Sequence, residues 1–308
     1  MSALLRPLGA FAGAFLLAAC ALLAPRQLLL ADHPLAGRIW DPGANRIVAP
    51  EEALGRAVRA RYVLLGEVHD NPEHHRLQRA VVEALARRGP ARALAMEQFD
   101  ADHQRAIDAA RAEGAGAEAI ADAGRFDRRG WNWPLYRPLV EFALERGWPL
   151  IAANLSRAQA RAVLDDPARS RLPEADTPLR EALERDLIAG HCGERPEAKR
   201  LAGLVEAQRA RDARLARALS AVPNAAGVLI AGNGHARKDR GAPLYLPGAD
   251  LVAIGFVEVE AGKNQALDYI AEGFATAASY DFVWFTPRAA RPDPCAHVKR
   301  SGAAPKAL

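Results

Sequence analysis

At 308 residues, half of them hydrophobic and a quarter charged, the chain holds enough apolar material for one large core, which excludes disorder outside the termini. The formal net charge of +4 is small, and the arginines that dominate its basic side are spread along helical patterns next to acids, which excludes a dedicated nucleic-acid binder. Arg128 and Arg129 with Trp131 and Trp133 imitate a base-stacking patch, but a solvated helix end over buried tryptophans is the simpler reading.

Arg6 is the only charged residue among the first 19, and the apolar stretch from Leu8 to Leu23 contains Leu17, Ala18, Ala19 and Cys20, a lipoprotein signal box. Cleavage before Cys20 is expected, making residues 1–19 a signal peptide and leaving a lipidated cysteine that anchors the protein to a membrane without spanning it. The competing reading, an uncleaved anchor, uses the run from Leu8 to Leu30, which Pro25, Arg26 and Gln27 interrupt. Residues 20–37 then form a tether, and 38–308 the folded domain. Ala21 stands where an aspartate commonly retains lipoproteins at the inner membrane, so the expected place is the outer membrane of a bacterial envelope, facing the periplasm.

Within the domain, Val63, Leu64 and Leu65 read as a buried strand. Gly66 allows a close turn, and Glu67, Val68 and His69 follow at the strand's end. Asn71 offers an N-cap, Pro72 suits the first helical position, and an amphipathic helix follows to Arg88. Three further apolar runs end in polar residues: RALAMEQF over 92–99, WPLIAANLSR over 148–157 and GVLIAGNGHAR over 227–237. Helical patterns lie between them at 101–113, 135–146, 157–164, 178–189 and 201–219, and LVAIGFVEVE and DFVWFTP add two late strands. This alternation predicts an α/β fold, a mainly parallel sheet flanked by helices. The segment from about 101 to 147 is too long for a simple crossover and is expected to be a helical excursion over the carboxyl edge.

Parallel neighbours would bring Glu67, His69, Glu97 and His235 to that edge, where ligands bind in open α/β sheets. Two carboxylates and two imidazoles can hold a divalent metal or move protons. They can also simply cap helices and pair with arginines. Of His74 and His75, one is expected to face the site and the other solvent. Gln208 and Asp212, four apart on a helix, either face the site or form an ordinary i,i+4 pair, the pair being preferred, and Asp70 reads as a turn residue. Cys192 and Cys295, an even pair in loops of an oxidising compartment, are expected to form a disulfide tying the C-terminal tail to mid-chain. No CxxC accompanies Cys192 and His191 to suggest a metal site, and no CxxCH suggests covalent haem.

GEVHDNPEHH, AMEQFD, IAANLSR and AGNGHARKDRGAPLYL, in this order behind a lipobox, resemble the ChaN family of haem-binding lipoproteins over roughly residues 38–290. That family belongs to a wider group with Tiki/TraB proteins and erythromycin esterases. The resemblance implies haem binding and iron uptake at the cell envelope, through a homodimer that sandwiches haem, and it carries over Glu67, His69, Glu97 and His235 as the group's motif residues. It does not supply the axial ligand. Haem iron takes His, Tyr, Met or Cys, which leaves Tyr136, Tyr245 and His74 as candidates, with Arg157 or Arg237 as propionate partners. The alternative is a hydrolase acting on an ester or amide, metal-dependent with Glu67, His69, Glu97 and His235 as ligands, or using them as acid and base. A degenerate envelope scaffold is the third.

Overall fold

A computed structural model describes residues 27–222, 226–270 and 278–296. Cys20 lies outside them. The elements in chain order are β1 (Leu28–Leu29), β2 (Ile39–Asp41), β3 (Arg46–Val48), α1 (Pro50–Arg59), β4 (Tyr62–Glu67), α2 (Pro72–Arg88) and β5 (Arg92–Asp100). After a 3-10 turn at Ala101–His103 come α3 (Gln104–Ala112), α4 (Ala117–Ala123), α5 (Trp133–Glu145), β6 (Leu150–Asn154), α6 (Arg157–Asp165), α7 (Thr177–Gly190) and α8 (Ala198–Leu219). The chain closes with β7 (Ala226–Gly232), α9 (Asn233–Ala236), β8 (Leu251–Glu258), β9 (Phe282–Thr286) and β10 (Arg288–Ala289).

Eight strands form one sheet in the order β3-β2-β9-β8-β4-β7-β5-β6. From β9 to β6 every pairing is parallel, so the α/β reading with a mainly parallel sheet stands. The unforeseen part is the antiparallel hairpin of β2 and β3 at one edge, whose β2 also pairs antiparallel with β9. Its strands of three residues are too short to show a period, and only the turn between them, with Asn45 in the left-handed region, marks it. The expected tether is joined to the fold from Leu28 onward: β1 pairs with β10, Leu35 is buried, and the Gly37 amide donates to the Phe285 carbonyl at 2.9 Å.

β4 is buried along its whole length because helices cover both sheet faces. On one face α1, α2 and α5 pack over Val63, Leu65 and Met96. On the other, Leu215 and Leu219 of α8 meet Leu64 and Leu229. α2 begins where the sequence indicates: the Asn71 side chain accepts from the Glu73 amide at 2.9 Å and Pro72 opens the helix. Leu77, Val81 and Leu85, at i,i+4 spacing, form its buried stripe, each worth about 1.5–3 kcal/mol of transfer free energy. The excursion between β5 and β6 is helical, as expected, and its α5 packs against α2.

Gly66 does not make a turn. It lies inside β4, and a Cβ there would stand 2.2 Å from Asn233 Oδ1 and 3.2 Å from Asn233 Cα. The missing side chain is what lets α9 sit directly on the strand. Cys192 and Cys295 are disulfide-bonded, with Cα atoms 5.5 Å apart, which ties the C-terminal segment to the end of α7.

Candidate functional site

The site follows from register. β7 inserts between β4 and β5, pairing Leu65 with Ile230 and Ile230 with Met96, and Glu67 stands opposite Gly232. The β5–β6 pairing shifts register between Met96 and Asp100, which places Glu97 in an irregular stretch at the carboxyl edge. Two polar networks meet there, one from each face of the sheet.

The first is centred on Glu67, 2% exposed. Its Oε1 accepts from Tyr136 Oη at 2.5 Å, His69 Nδ1 at 2.8 Å and Gln98 Nε2 at 3.3 Å, and its Oε2 accepts from Gln78 Nε2 at 2.8 Å. His75 Nδ1 lies 3.6 Å from Oε2, while its Nε2 donates to the His69 carbonyl. Burial pushes the Glu67 carboxyl up, but attraction to His75 and His69 and the hydrogen bonds from His69 and Tyr136 outweigh it and hold its pKa at about 2. Burial pushes His69 down, but the bond to Glu67 and the charges of Glu67, Glu97 and Asp70 raise it to about 9. Desolvation and the neighbouring Glu67 drive the Tyr136 hydroxyl well above its ordinary range, so it stays a protonated donor.

The second network belongs to His235, which α9 carries to the end of β7. Its Nδ1 meets Asp212 Oδ1 at 2.6 Å and Gln208 Nε2 at 3.2 Å, and its Nε2 points to Glu97 Oε1 at 3.5 Å. Glu97 Oε2 in turn accepts from the Gly232 amide at 2.8 Å. Burial pushes Asp212 up to about 6 against the pull of His235. Burial lowers His235, but Asp212 and Glu97 raise it on balance. A Cβ on Gly232 would stand 3.0 Å from His69 Cε1 and 3.8 Å from Glu97 Oε2, so the bare backbone here lets the two networks approach. Among these groups His69 reaches furthest into solvent, its side chain 44% exposed and set edge-on against Trp131 at 4.7 Å.

The four motif residues are therefore brought together. Several other expectations change. His74 and His75 are both buried. His74 Nδ1 accepts from the Val68 amide and its Nε2 donates to Thr286 Oγ1, and burial lowers its pKa to about 3, so it is a neutral structural residue with no nitrogen left for iron. Tyr136 is wholly buried with its hydroxyl on Glu67. Arg157, its side chain 85% exposed, pairs with Asp127, and Arg237 is buried against Asp239 and Ser279, away from both networks. Asp70 is bound by Arg291 rather than serving only a turn. Gln208 and Asp212 both serve His235 instead of pairing with each other. The signal was available: Asp212 sits on the stripe of Leu201, Val205, Leu215 and Leu219 that α8 turns inward, where a solvated acid has no place. Gln78 similarly lies one turn beyond His75 on the buried face of α2.

Among the described residues no group of three or more His, Cys, Asp or Glu side chains is arranged to hold a metal ion. Glu67 is engaged by Tyr136 and Gln78 on one face, and His235 by Asp212 on the other, so their donor atoms do not converge on a shared point. The divalent-metal alternative is accordingly not supported.

The Glu67–His69 pair makes stability depend on pH at both ends. His69, raised from 6.5 to about 9, contributes fully below 6.5 and loses its contribution as pH rises through about 9. Glu67, lowered from 4.5 to about 2, contributes fully above 4.5 and loses it as pH falls through about 2. Asp212 works the other way, its ionisation opposing folding increasingly between 3.8 and about 6. In an NMR titration the His69 ring is expected to change charge near pH 9 and to fall toward 6.5 in Glu67→Gln. A midpoint near 6.5 in the unmodified protein would refute the ion pair.

The sequence matches, over residues 53–246, the family model described as haem-binding uptake, Tiki superfamily, ChaN. Among solved structures the fold is similar to that of ChaN of Campylobacter jejuni, described by its cofacial heme binding, at 22% identity, covering 80% of this chain and 95% of that one, with a TM-score of 0.67. An erythromycin esterase in its open conformation is 15% identical, covering 82% of this chain and 97% of that one, with a TM-score of 0.47. No curated protein matches the chain.

Proposed function

The chain belongs to the ChaN family of haem-binding uptake proteins in the Tiki superfamily, and from that membership we propose that it binds haem at the bacterial cell envelope and serves haem or iron uptake. The observation that carries this reading is the family match, which spans all four motif residues. Exposure favours Tyr245 as the axial ligand. Tyr62, Tyr136, Tyr269 and Tyr280 are buried, and Tyr245 alone of the five tyrosines is partly accessible. Tyrosinate is an established axial ligand of haem iron. Burial raises the Tyr245 hydroxyl above its ordinary range, and Arg209, which bonds to it, opposes that rise and favours the ionised form. Leu244 beside it is 41% exposed and offers an apolar contact to the porphyrin.

A tyrosine at the surface suits a cofacial pair of haems shared by two copies of the chain, and a homodimer is part of the proposal. So are removal of residues 1–19 and lipidation at Cys20, which the small residues before Cys20 support, and an outer-membrane anchor facing the periplasm, which Ala21 in place of a retaining aspartate supports. The test is a haem titration of the full-length protein in detergent, followed in the Soret region. Saturable binding is expected, weakened at least about tenfold and stripped of its tyrosinate spectrum in Tyr245→Phe, whereas Tyr136→Phe keeps both. An unchanged Tyr245→Phe spectrum would remove this ligand, and no Soret shift in the unmodified protein would remove the haem reading.

A second reading, hydrolysis by acid and base groups, is favoured by one observation: Asp212 orients the His235 imidazole through Nδ1 and leaves Nε2 beside a second carboxylate, Glu97, so that an imidazole and a carboxylate share one edge as acid and base groups would. It requires turnover of an ester or amide that disappears in Glu97→Ala.

A further inference from the structure

Beside the Glu67 and His235 networks, over the carboxyl ends of β5 and β6, a cleft of about 820 Å³ opens toward solvent. That volume is within the range of small-molecule sites. Its walls carry four guanidinium groups, Arg125, Arg129, Arg157 and Arg211, against two carboxylates, Asp100 and Asp127. Asp127 is taken by Arg157. Arg125, Arg129 and Arg211 make no ion pair or side-chain hydrogen bond among the described residues, and with only Asp100, which Arg211 and Arg157 attract, left to set against them, the cleft keeps a net positive charge. The N-terminus of α6, with no acid in its first turn, opens onto the same space through Ser156 and Arg157.

The second observation is independent of charge. Gln98 and Asn154 line the cleft and are 4% and 5% exposed, yet Gln98 Oε1 and Asn154 Oδ1 are buried without a hydrogen-bond partner. Native proteins rarely leave such groups unpaired, because each forgoes its hydration without replacement. Two orphaned amide faces in a basic cleft ask for a ligand with hydroxyl groups as well as negative charge. A haem does not fit that description: among the lining residues only Trp131, Leu155 and Ala158 are apolar, and a porphyrin face needs apolar walls.

We propose that this cleft binds a small polyhydroxylated anion, a sugar phosphate or sugar acid, with Arg125, Arg129 and Arg211 on the phosphate or carboxylate and the amides of Gln98 and Asn154 on hydroxyls. Arginine suits the first task because its planar fork bonds such oxyanions in pairs. Gln98 also donates to Glu67, which links an occupied cleft to the buried carboxylate. The site is separate from the haem ligand proposed above, and its test is read independently of it.

The full-length protein in detergent is titrated by calorimetry with glucose 6-phosphate, glucuronate, inorganic phosphate and glucose. At least one of the two sugar anions is expected to bind saturably below about 1 mM, with phosphate at least about tenfold weaker and glucose silent. The double variant Arg125→Gln/Arg129→Gln, at exposed positions that leave the core untouched, weakens that binding about tenfold or more with the haem titration unchanged. Asn154→Ala removes the preference over phosphate. Absence of saturable binding by both sugar anions, indifference to the double arginine variant, or equal binding of phosphate overturns the proposal. Loss of haem binding in the double variant also overturns it, by assigning the cleft to haem.

Discussion

Glu67→Ala is expected to lower the stability of the fold by about 3–5 kcal/mol, the cost of leaving buried partners of a charge uncompensated. The carboxylate is the common acceptor of Tyr136, Gln78 and His69 and lies 3.6 Å from His75. Tyr136 and Gln78 are wholly buried and have no water to turn to. Glu67→Gln keeps the volume and one acceptor oxygen, so its loss is smaller, about 1–3 kcal/mol. Urea denaturation at pH 7 checks both, through a lower midpoint at unchanged slope. A change below about 1 kcal/mol in the alanine variant would show that the network holds a site in place without supporting the fold. The same comparison repeated near pH 9 should narrow the gap, since His69 then gives up the charge that Glu67 stabilises.

Removing the disulfide is the second large effect. Cys192 and Cys295 are 103 residues apart in sequence, and closing a loop of that size restricts the unfolded chain by as much as about 4.7 kcal/mol in the chain-entropy account, within a usual range of about 2–5. Cys192 also holds a left-handed backbone conformation, φ 60°, which a non-glycine residue adopts at some cost and keeps only while its surroundings hold it. Cys192→Ser/Cys295→Ser is expected to lower the free energy of unfolding by that amount, seen as a lower denaturation midpoint. Reductant should bring the unmodified protein to the same midpoint and leave the variant unmoved. Equal midpoints without reductant would mean that contacts made by the C-terminal segment alone secure it.

Much of this molecule is legible in its sequence. Buried runs such as Val63–Leu65 and Val228–Ile230 read as strands covered on both sides, and the helical patterns between them favour parallel pairing. Asn71 and Pro72 mark the start of α2 because capping is a local transaction between a side chain and an amide two residues on. The edge hairpin at Ile39–Val48 escapes because its strands are shorter than a period. The roles of His74 and Tyr136 escape for a different reason: a His or Tyr on a helix has the same spacing whether it faces a ligand, a carboxylate or water.

What the sequence by itself determined is the α/β class, the carboxyl-edge position of Glu67, His69, Glu97 and His235, and the cysteine pair, because each depends on local periodicity or on residue chemistry. What only the tertiary structure decided is that β7 enters between β4 and β5, that α8 crosses the opposite face, and hence that Asp212 orients His235 while Tyr136 and Gln78 secure Glu67. Those partners lie 11 to 69 residues from the groups they serve, or 23 in the case of Asp212 and His235. Hydrogen bonds between residues so far apart leave no period in the chain. They exist only once burial of the two sheet faces has set strand order and register, and with them which polar atoms must find each other away from water.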